Sequence, residues 1–205
     1  MTAERGLEVA PETNMAAYST MLELGTELPR FSLTDAVSGS IVSSSSLLGS
    51  ISVVAFICNH CPYVLHIQAE LARFGTECEG LGVKLVAISS NDIAAYPADA
   101  PDRMAEEARR AGYAFPYLFD EDQSVALAFR AACTPEFYAF DAQGSLAYRG
   151  RFDAASPKSS SPPSGNELRA AVQALQRGQH PSDEQRPSVG CSIKWKPGRE
   201  PVSPA

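Results

Sequence analysis

The sequence predicts an α/β fold built on a mixed, helix-covered sheet. Three observations carry that expectation. Residues 51–57 (ISVVAFI) and 83–88 (VKLVAI) are continuous β-branched-rich runs, as in strands buried on both faces. Between them Val64, Ile67, Leu71 and Phe74 recur at helical spacing. Further on, the apolar runs 136–141 and 146–150 flank Ala142-Gln143-Gly144-Ser145, a hairpin signal. Strand–helix–strand–helix–strand–helix, then a hairpin and a last helix, is a layout in which helices cover a sheet.

The elements follow in order. Residues 1–24 show no clear period and read as a loose N-terminal arm. Residues 31–33, after Leu28-Pro29, read as a short edge strand, and 43–46 as a turn into Leu47-Leu48-Gly49. The buried run 51–57 leads through Cys58-Asn59-His60-Cys61-Pro62 into the helix of Val64 and Phe74. That helix carries His66, Glu70, Arg73 and Glu77 on its polar face, and Gly80 and Gly82 end it. Residues 102–111 are charged and helical, and 117–119 form a short strand. Asp122 can cap a helix over Val125, Leu127 and Phe129. Ser164 with Glu167 makes a capping box before a helix with Leu168, Ala171, Val172 and Leu175 on one face. Residues 154–165 form a Ser/Pro loop, and the prolines of 178–205 exclude a helix there. The expected organisation is an arm (1–24), a domain (25–178) and a C-terminal tail (179–205).

Composition narrows the classes of function. A chain of 205 residues suits one domain of roughly 100–200 residues with a tail. No apolar run approaches the roughly 18 residues of a membrane helix, and the first 30 residues lack a signal-peptide core. The net charge of -7 argues against nucleic acid and anionic membrane as partners. Five cysteines are too few and too odd in number for a disulfide scaffold. The expectation is a cytoplasmic protein with reduced, reactive or buried thiols.

Cys58-x-x-Cys61 carries the sharpest chemistry. Two intervening residues at the start of a helix bring both sulfurs within bonding reach. The helix N-terminus stabilises a thiolate, and in such motifs the thiol pKa falls from about 8.5 to about 3.5–7.5. The expectation places Cys58 on that first turn as the nucleophile. Cys61, on the apolar face of the helix, is the more buried resolving thiol. His60, when protonated, would stabilise the Cys58 thiolate and so modulate the couple. A competing reading is a metal site in which Cys58 and Cys61 recruit His66 or Cys191, although no second Cys/His pair repeats the spacing. Cys191, in an otherwise polar tail, is a candidate third redox thiol or an inert one covered by Ile193 and Trp195. Cys78 reads as a small buried hydrophobe. From local sequence alone the Thr134-Pro135 bond is expected trans. Dinucleotide, P-loop, serine-nucleophile, zinc-protease and haem-attachment motifs are absent.

Together these residues resemble a known group. Gly25-x-x-Leu28-Pro29-x-Phe31-x-Leu33-x-Asp35 resembles the N-terminal hairpin of the redoxin branch of the thioredoxin superfamily. The stretch from Ile57 to Val64, Cys133-Thr134-Pro135, and the stretch from Pro187 to Trp195 resemble peroxiredoxin-like thioredoxin family proteins with a Cys-Asn-His-Cys-Pro motif. The resemblance spans about residues 25–196. It implies a thioredoxin fold with an N-terminal redoxin-type hairpin and an extended C-terminal tail. It also implies that Pro135 is cis and faces the cysteine pair, and that Thr134 offers backbone groups to an extended substrate segment. The peroxiredoxin pattern Pro-x-x-x-Thr-x-x-Cys, laid on Cys61, meets Val54 and Cys58 instead of Pro and Thr. Ser52 stands where many thioredoxins carry a buried acid, and Ile57 where they carry Trp.

The expected function is thiol–disulfide oxidoreduction by Cys58 and Cys61, with Thr134 and Pro135 shaping the substrate groove. The partners would be a protein or small-molecule disulfide and a cellular thiol reductant. No cofactor or metal is required, because the electrons reside on the cysteines. Thiol peroxidase activity and non-enzymatic metal binding by Cys58 and Cys61 stand as the alternatives.

Overall fold

The computed structural model describes residues 16–201, so residues 1–15 of the expected arm lie outside the described residues. In chain order the strands and helices are β1 Ala16–Tyr18, β2 Ser32–Asp35, β3 Ile41–Ser43, β4 Ser52–Phe56, α1 Pro62–Gly80, β5 Lys84–Ser89, α2 Pro101–Ala111, β6 Tyr117–Phe119, α3 Ser124–Ala128, β7 Cys133–Thr134, β8 Glu136–Phe140, β9 Leu146–Gly150, α4 Asn166–Gln176 and β10 Val189–Ser192. Short 3-10 turns occupy Ser44–Leu47 and Pro97–Asp99.

The main sheet runs β3-β2-β6-β5-β4-β8-β9. β4, β5 and β6 are parallel, and β8 joins β4 antiparallel, so the sheet is mixed as expected. Alternation along β4 assigns its faces. Val53 and Ala55 join the core built with Val64, Leu71 and Phe74 of α1, Met104 of α2 and Leu168 of α4. Val54 and Phe56 join the opposite core with Ile88, Val125, Phe129 and Tyr138. Both faces of β4 are therefore dry, which explains its unbroken apolar run.

Local chemistry sets most element ends. Pro62 occupies the first turn of α1, where its missing N–H removes no helical bond. The predicted stripe of Val64, Ile67, Leu71 and Phe74 is buried along α1. Two expectations need correction. Residues 31–33 were expected to form an edge strand, but β2 lies between β3 and β6. Asp35 accepts the Val37 and Ser38 backbone N–H groups and folds the chain back as β3. The expected Ser164–Glu167 box does not form. Asp153 Oδ2 accepts the N–H groups of Ser164 and Gly165 at 2.6 Å each, and Glu167 pairs with Arg151 instead.

The tail is built into the molecule. β10 pairs with β1 on one side (Ala16↔Cys191) and with β7 on the other (Cys191↔Thr134, Ser192↔Cys133), making a second small sheet. Past β10, Ile193 is buried in the second core. The Lys194 carbonyl accepts from Asp92 N at 2.8 Å and Gln123 Nε2 at 2.9 Å, and Lys194 N donates to Asn91 Oδ1 at 2.8 Å. Among the described residues no helix is long and apolar enough to cross a membrane.

Candidate active site

The chain leaves β4 at Phe56 and runs irregularly through Cys58, Asn59 and His60 before α1 begins. Cys61 is the N-cap residue. This corrects the expectation that Cys58 sits on the first helical turn. Pro62 fixes the helix start one residue after Cys61, so the unpaired N–H groups and positive end of α1 lie at Cys61.

Three thiols meet there. Cys58 Sγ lies 3.4 Å from Thr134 Oγ1, and the Cys61 thiol donates to the Thr134 carbonyl oxygen at 3.1 Å. Both Cys191 and Cys58 hydrogen-bond the Cys61 sulfur. Cys61 is therefore the middle sulfur of the three. Exposure is 2% for Cys58, 0% for Cys61 and 3% for Cys191, so the centre is closed to water. None of the five cysteines is in a disulfide.

Charge is distributed unevenly over this centre. The hydrogen bond from Cys191, then that from Cys58, holds Cys61 well below the usual thiol range, against the opposing effect of burial. Cys58 is pushed well up by its bond to Cys61, by burial and by the negative charge of Asp99. When one proton leaves the pair, the thiolate rests on Cys61 and Cys58 remains its donor. The sequence expectation had the charge on Cys58.

His60 also differs from expectation. Its Nδ1 lies 2.8 Å from Asp99 Oδ2, and its ring stacks on Tyr96 with centroids 5.4 Å apart. The hydrogen bond to Asp99 raises the His60 pKa, against burial, and the Cys61 charge raises it further. Asp99 is fully buried and also takes Asn59 N and Asn91 Nδ2 at 2.8 Å each. When protonated, His60 is thus paired with a carboxylate, and its interaction reaches Cys61, whereas Asp99 raises Cys58. His60 is not a lone cation serving the Cys58 thiolate.

The Thr134-Pro135 bond is cis, as the resemblance implied and local sequence did not. The Thr134 edge is not vacant, which corrects the expectation that its backbone awaits a substrate segment. β10 of the same chain already pairs with it. Beside Pro135 a cavity of about 230 Å³ opens between Tyr63, Ile67, Phe152 and Val189.

The other cysteines stay apart from this chemistry. Burial pushes Cys78 up to about 12. Cys133 is also raised by burial, with the Glu136 charge adding to it. Such thiols are poor nucleophiles at neutral pH. Glu136, which sequence reading missed, is buried after Pro135 and accepts Ala132 N at 2.9 Å and Tyr138 OH at 2.7 Å. Asp99, Asn91 and Tyr96 were missed as well. They lie 33–41 residues beyond Cys58 in no recognisable motif, and only the fold brings them together. For a metal, the ligand atoms grouped within 4.8 Å among the described residues are those of Cys58, His60 and Asp99. His66, the partner expected from sequence, is not in that group.

The AhpC/TSA family model matches residues 24–149. An uncharacterized conserved protein of Geobacillus kaustophilus is 45% identical, with 90% of this chain and 98% of that one covered and a TM-score of 0.88. A hypothetical protein of Sinorhizobium meliloti is 42% identical, covering 88% and 99%, with a TM-score of 0.86. A secreted disulfide oxidoreductase of Mycobacterium tuberculosis shares the thioredoxin-like fold at 21% identity and a TM-score of 0.55, covering 70% of this chain and 95% of its own. No curated protein matches the chain at significance.

Proposed function

The chain belongs to the AhpC/TSA family, and from that premise we propose that it is a thiol–disulfide oxidoreductase in which Cys58 and Cys61 cycle between dithiol and disulfide. The observation that carries this reading is the Cys58–Cys61 hydrogen bond at the start of α1, with Thr134 touching both sulfurs.

The cycle follows from where the proton sits. Cys58, on the approach to the helix, attacks a substrate disulfide while its proton passes to the Cys61 sulfur. One substrate thiolate leaves and a Cys58–substrate disulfide remains. The departing thiolate recovers the proton from Cys61. The Cys61 thiolate then attacks Cys58 Sγ, expels the second substrate thiolate and closes the Cys58–Cys61 disulfide. A cellular thiol reductant restores the dithiol, as the cytoplasm would supply. The cavity beside Pro135 suits a low-molecular-weight disulfide or an exposed loop of a protein disulfide, because β10 holds the Thr134 edge. A second reading, thiol peroxidase, draws on the family match, but Val54 and Cys58 replace the proline and threonine of the peroxide-orienting pattern.

The test uses glutathione disulfide and insulin as substrates. Cys58→Ser abolishes reduction, and Cys61→Ser accumulates mixed disulfides on Cys58. A Cys61→Ser protein with full multiple turnover and nothing trapped overturns the roles. Hydroperoxide consumption by the wild type in the absence of disulfide reduction transfers the assignment to the peroxidase reading.

A further inference from the structure

The C-terminal strand occupies an unexpected place. β10 lies antiparallel on β7 with Cys191 opposite Thr134, the residue whose side chain and carbonyl oxygen touch Cys58 and Cys61. The approach is very close. A Cβ on Gly190 would fall 1.9 Å from the Thr134 carbonyl oxygen, so only glycine lets β10 lie there. The strand is held on both sides, by β1 and by β7, and is tied beyond its end at Lys194. The result is a thiol delivered into hydrogen-bond contact with Cys61, inside the core that also contains Cys58.

We propose that β10 acts as a tethered substrate strand and that Cys191 is a third redox thiol, exchanging disulfide with Cys61. This rests on the dithiol reading of Cys58 and Cys61 and extends it. After Cys58 and Cys61 have been oxidised by a substrate disulfide, the Cys191 thiolate attacks Cys61 Sγ. The Cys61–Cys191 bond forms, the Cys58–Cys61 bond breaks, and Cys58 leaves as the thiolate, taking up the proton that Cys191 gave up. The exchange is isoelectronic, so the substrate disulfide is the sole oxidant. The two electrons have then come from Cys61 and Cys191, and Cys58 is reduced again while the oxidising equivalent is stored under β10. Cys61, bonded to both neighbours, is the sulfur common to the two disulfides.

The experiment is peptide mapping after oxidation with one equivalent of diamide, which accepts two electrons and two protons from a thiol pair. Remaining thiols are blocked with N-ethylmaleimide in acid. In Cys58→Ser the expected product is a monomer with Cys61 linked to Cys191. In oxidised wild type a fraction of monomers carries maleimide on Cys58 together with that same link, and this fraction is lost in Cys191→Ser. The wild-type measurement holds even if a variant fails to fold. If Cys58→Ser yields no Cys61–Cys191 peptide and oxidised wild type contains the Cys58–Cys61 link alone, the inference fails and the dithiol reading stands. If neither wild type nor Cys191→Ser forms the Cys58–Cys61 link, the dithiol reading fails. The third-thiol assignment fails with it, because the exchange starts from that disulfide.

Discussion

Replacing Gly190 by alanine tests whether β10 bears on β7. The added Cβ would lie 1.9 Å from Thr134 O, 2.6 Å from Thr134 C and 3.2 Å from Pro135 N. All three are backbone atoms, so no side-chain rotation relieves the contact. To restore ordinary contact at 3.4 Å, β10 must retreat by roughly 1.5 Å, enough to open its pairing with β7. Overpacking of this kind costs about 1–3 kcal/mol. Partial loss of Ile193 burial adds a fraction of the about 1.5–3 kcal/mol that a fully buried side chain contributes. A total near 3 kcal/mol lowers Tm by roughly 6–12 °C at about 2–4 °C per kcal/mol for a chain of this size. The assay is thermal unfolding, with Gly80→Ala as control. A Cβ at Gly80 meets nothing within 4 Å, and in a helix alanine is favoured over glycine by up to about 1 kcal/mol. G190A should also speed alkylation of Cys61, whose cover has moved. A G190A protein that melts within about 1 °C of wild type, with unchanged alkylation, would refute the reasoning.

The other predictions concern charge and hydrogen bonding around the thiols. Asp99 raises the pKa of His60 above its ordinary 6.5, so the stability from that pair is fully present below about 6.5 and fades as pH rises through the raised folded value. The stability difference between wild type and His60→Gln should therefore shrink from pH 5.5 to 8.5, and a constant difference would reject a charged pair. Glu136 is raised by burial, so its ionisation opposes folding increasingly as pH rises above the unfolded value of about 4.3. Glu136→Gln should flatten that decline. Glu136→Leu should melt lower, because it leaves Ala132 N without its acceptor at a cost of about 1–3 kcal/mol, while Tyr138 OH keeps the Phe129 carbonyl oxygen; equal melting of the two variants would count against the network. Thr134→Val removes a hydroxyl that lowers both Cys58 and Cys61. The midpoint of the thiol alkylation–pH profile should move up, and an unshifted midpoint would rule out a role for that hydroxyl.

Much of the framework was legible in the sequence because it is set by local periodicity. The unbroken apolar run of β4, the stripe of α1 and the hairpin of β8 and β9 each state their own burial through residue order. The Cys58-x-x-Cys61 pair was legible for the same reason: two sulfurs three residues apart at a helix start need no distant partner to meet. What failed was finer. Pro62 moved the helix start to Cys61 and took the N-terminal field away from Cys58. Gly165, not Ser164, is the N-cap residue of α4, and Asp153, a buried carboxylate eleven residues before Ser164, takes the Ser164 and Gly165 N–H groups that lead into the helix.

The tertiary structure alone decided which distant groups act on the sulfurs. Asp99 reaches His60 and Asn59 because the segment before α2 folds over the end of β4, and no spacing in the chain encodes that. The tail read as polar and proline-rich, which excludes a helix but says nothing of a strand whose partners lie far away in sequence, at Ala16 and Thr134. Sequence determines the local conformations a segment can adopt. Which edge β10 covers, and hence which thiol stands beside Cys61, depends on long-range pairing, where backbone hydrogen bonds carry no residue signature and a single glycine sets how closely two strands approach.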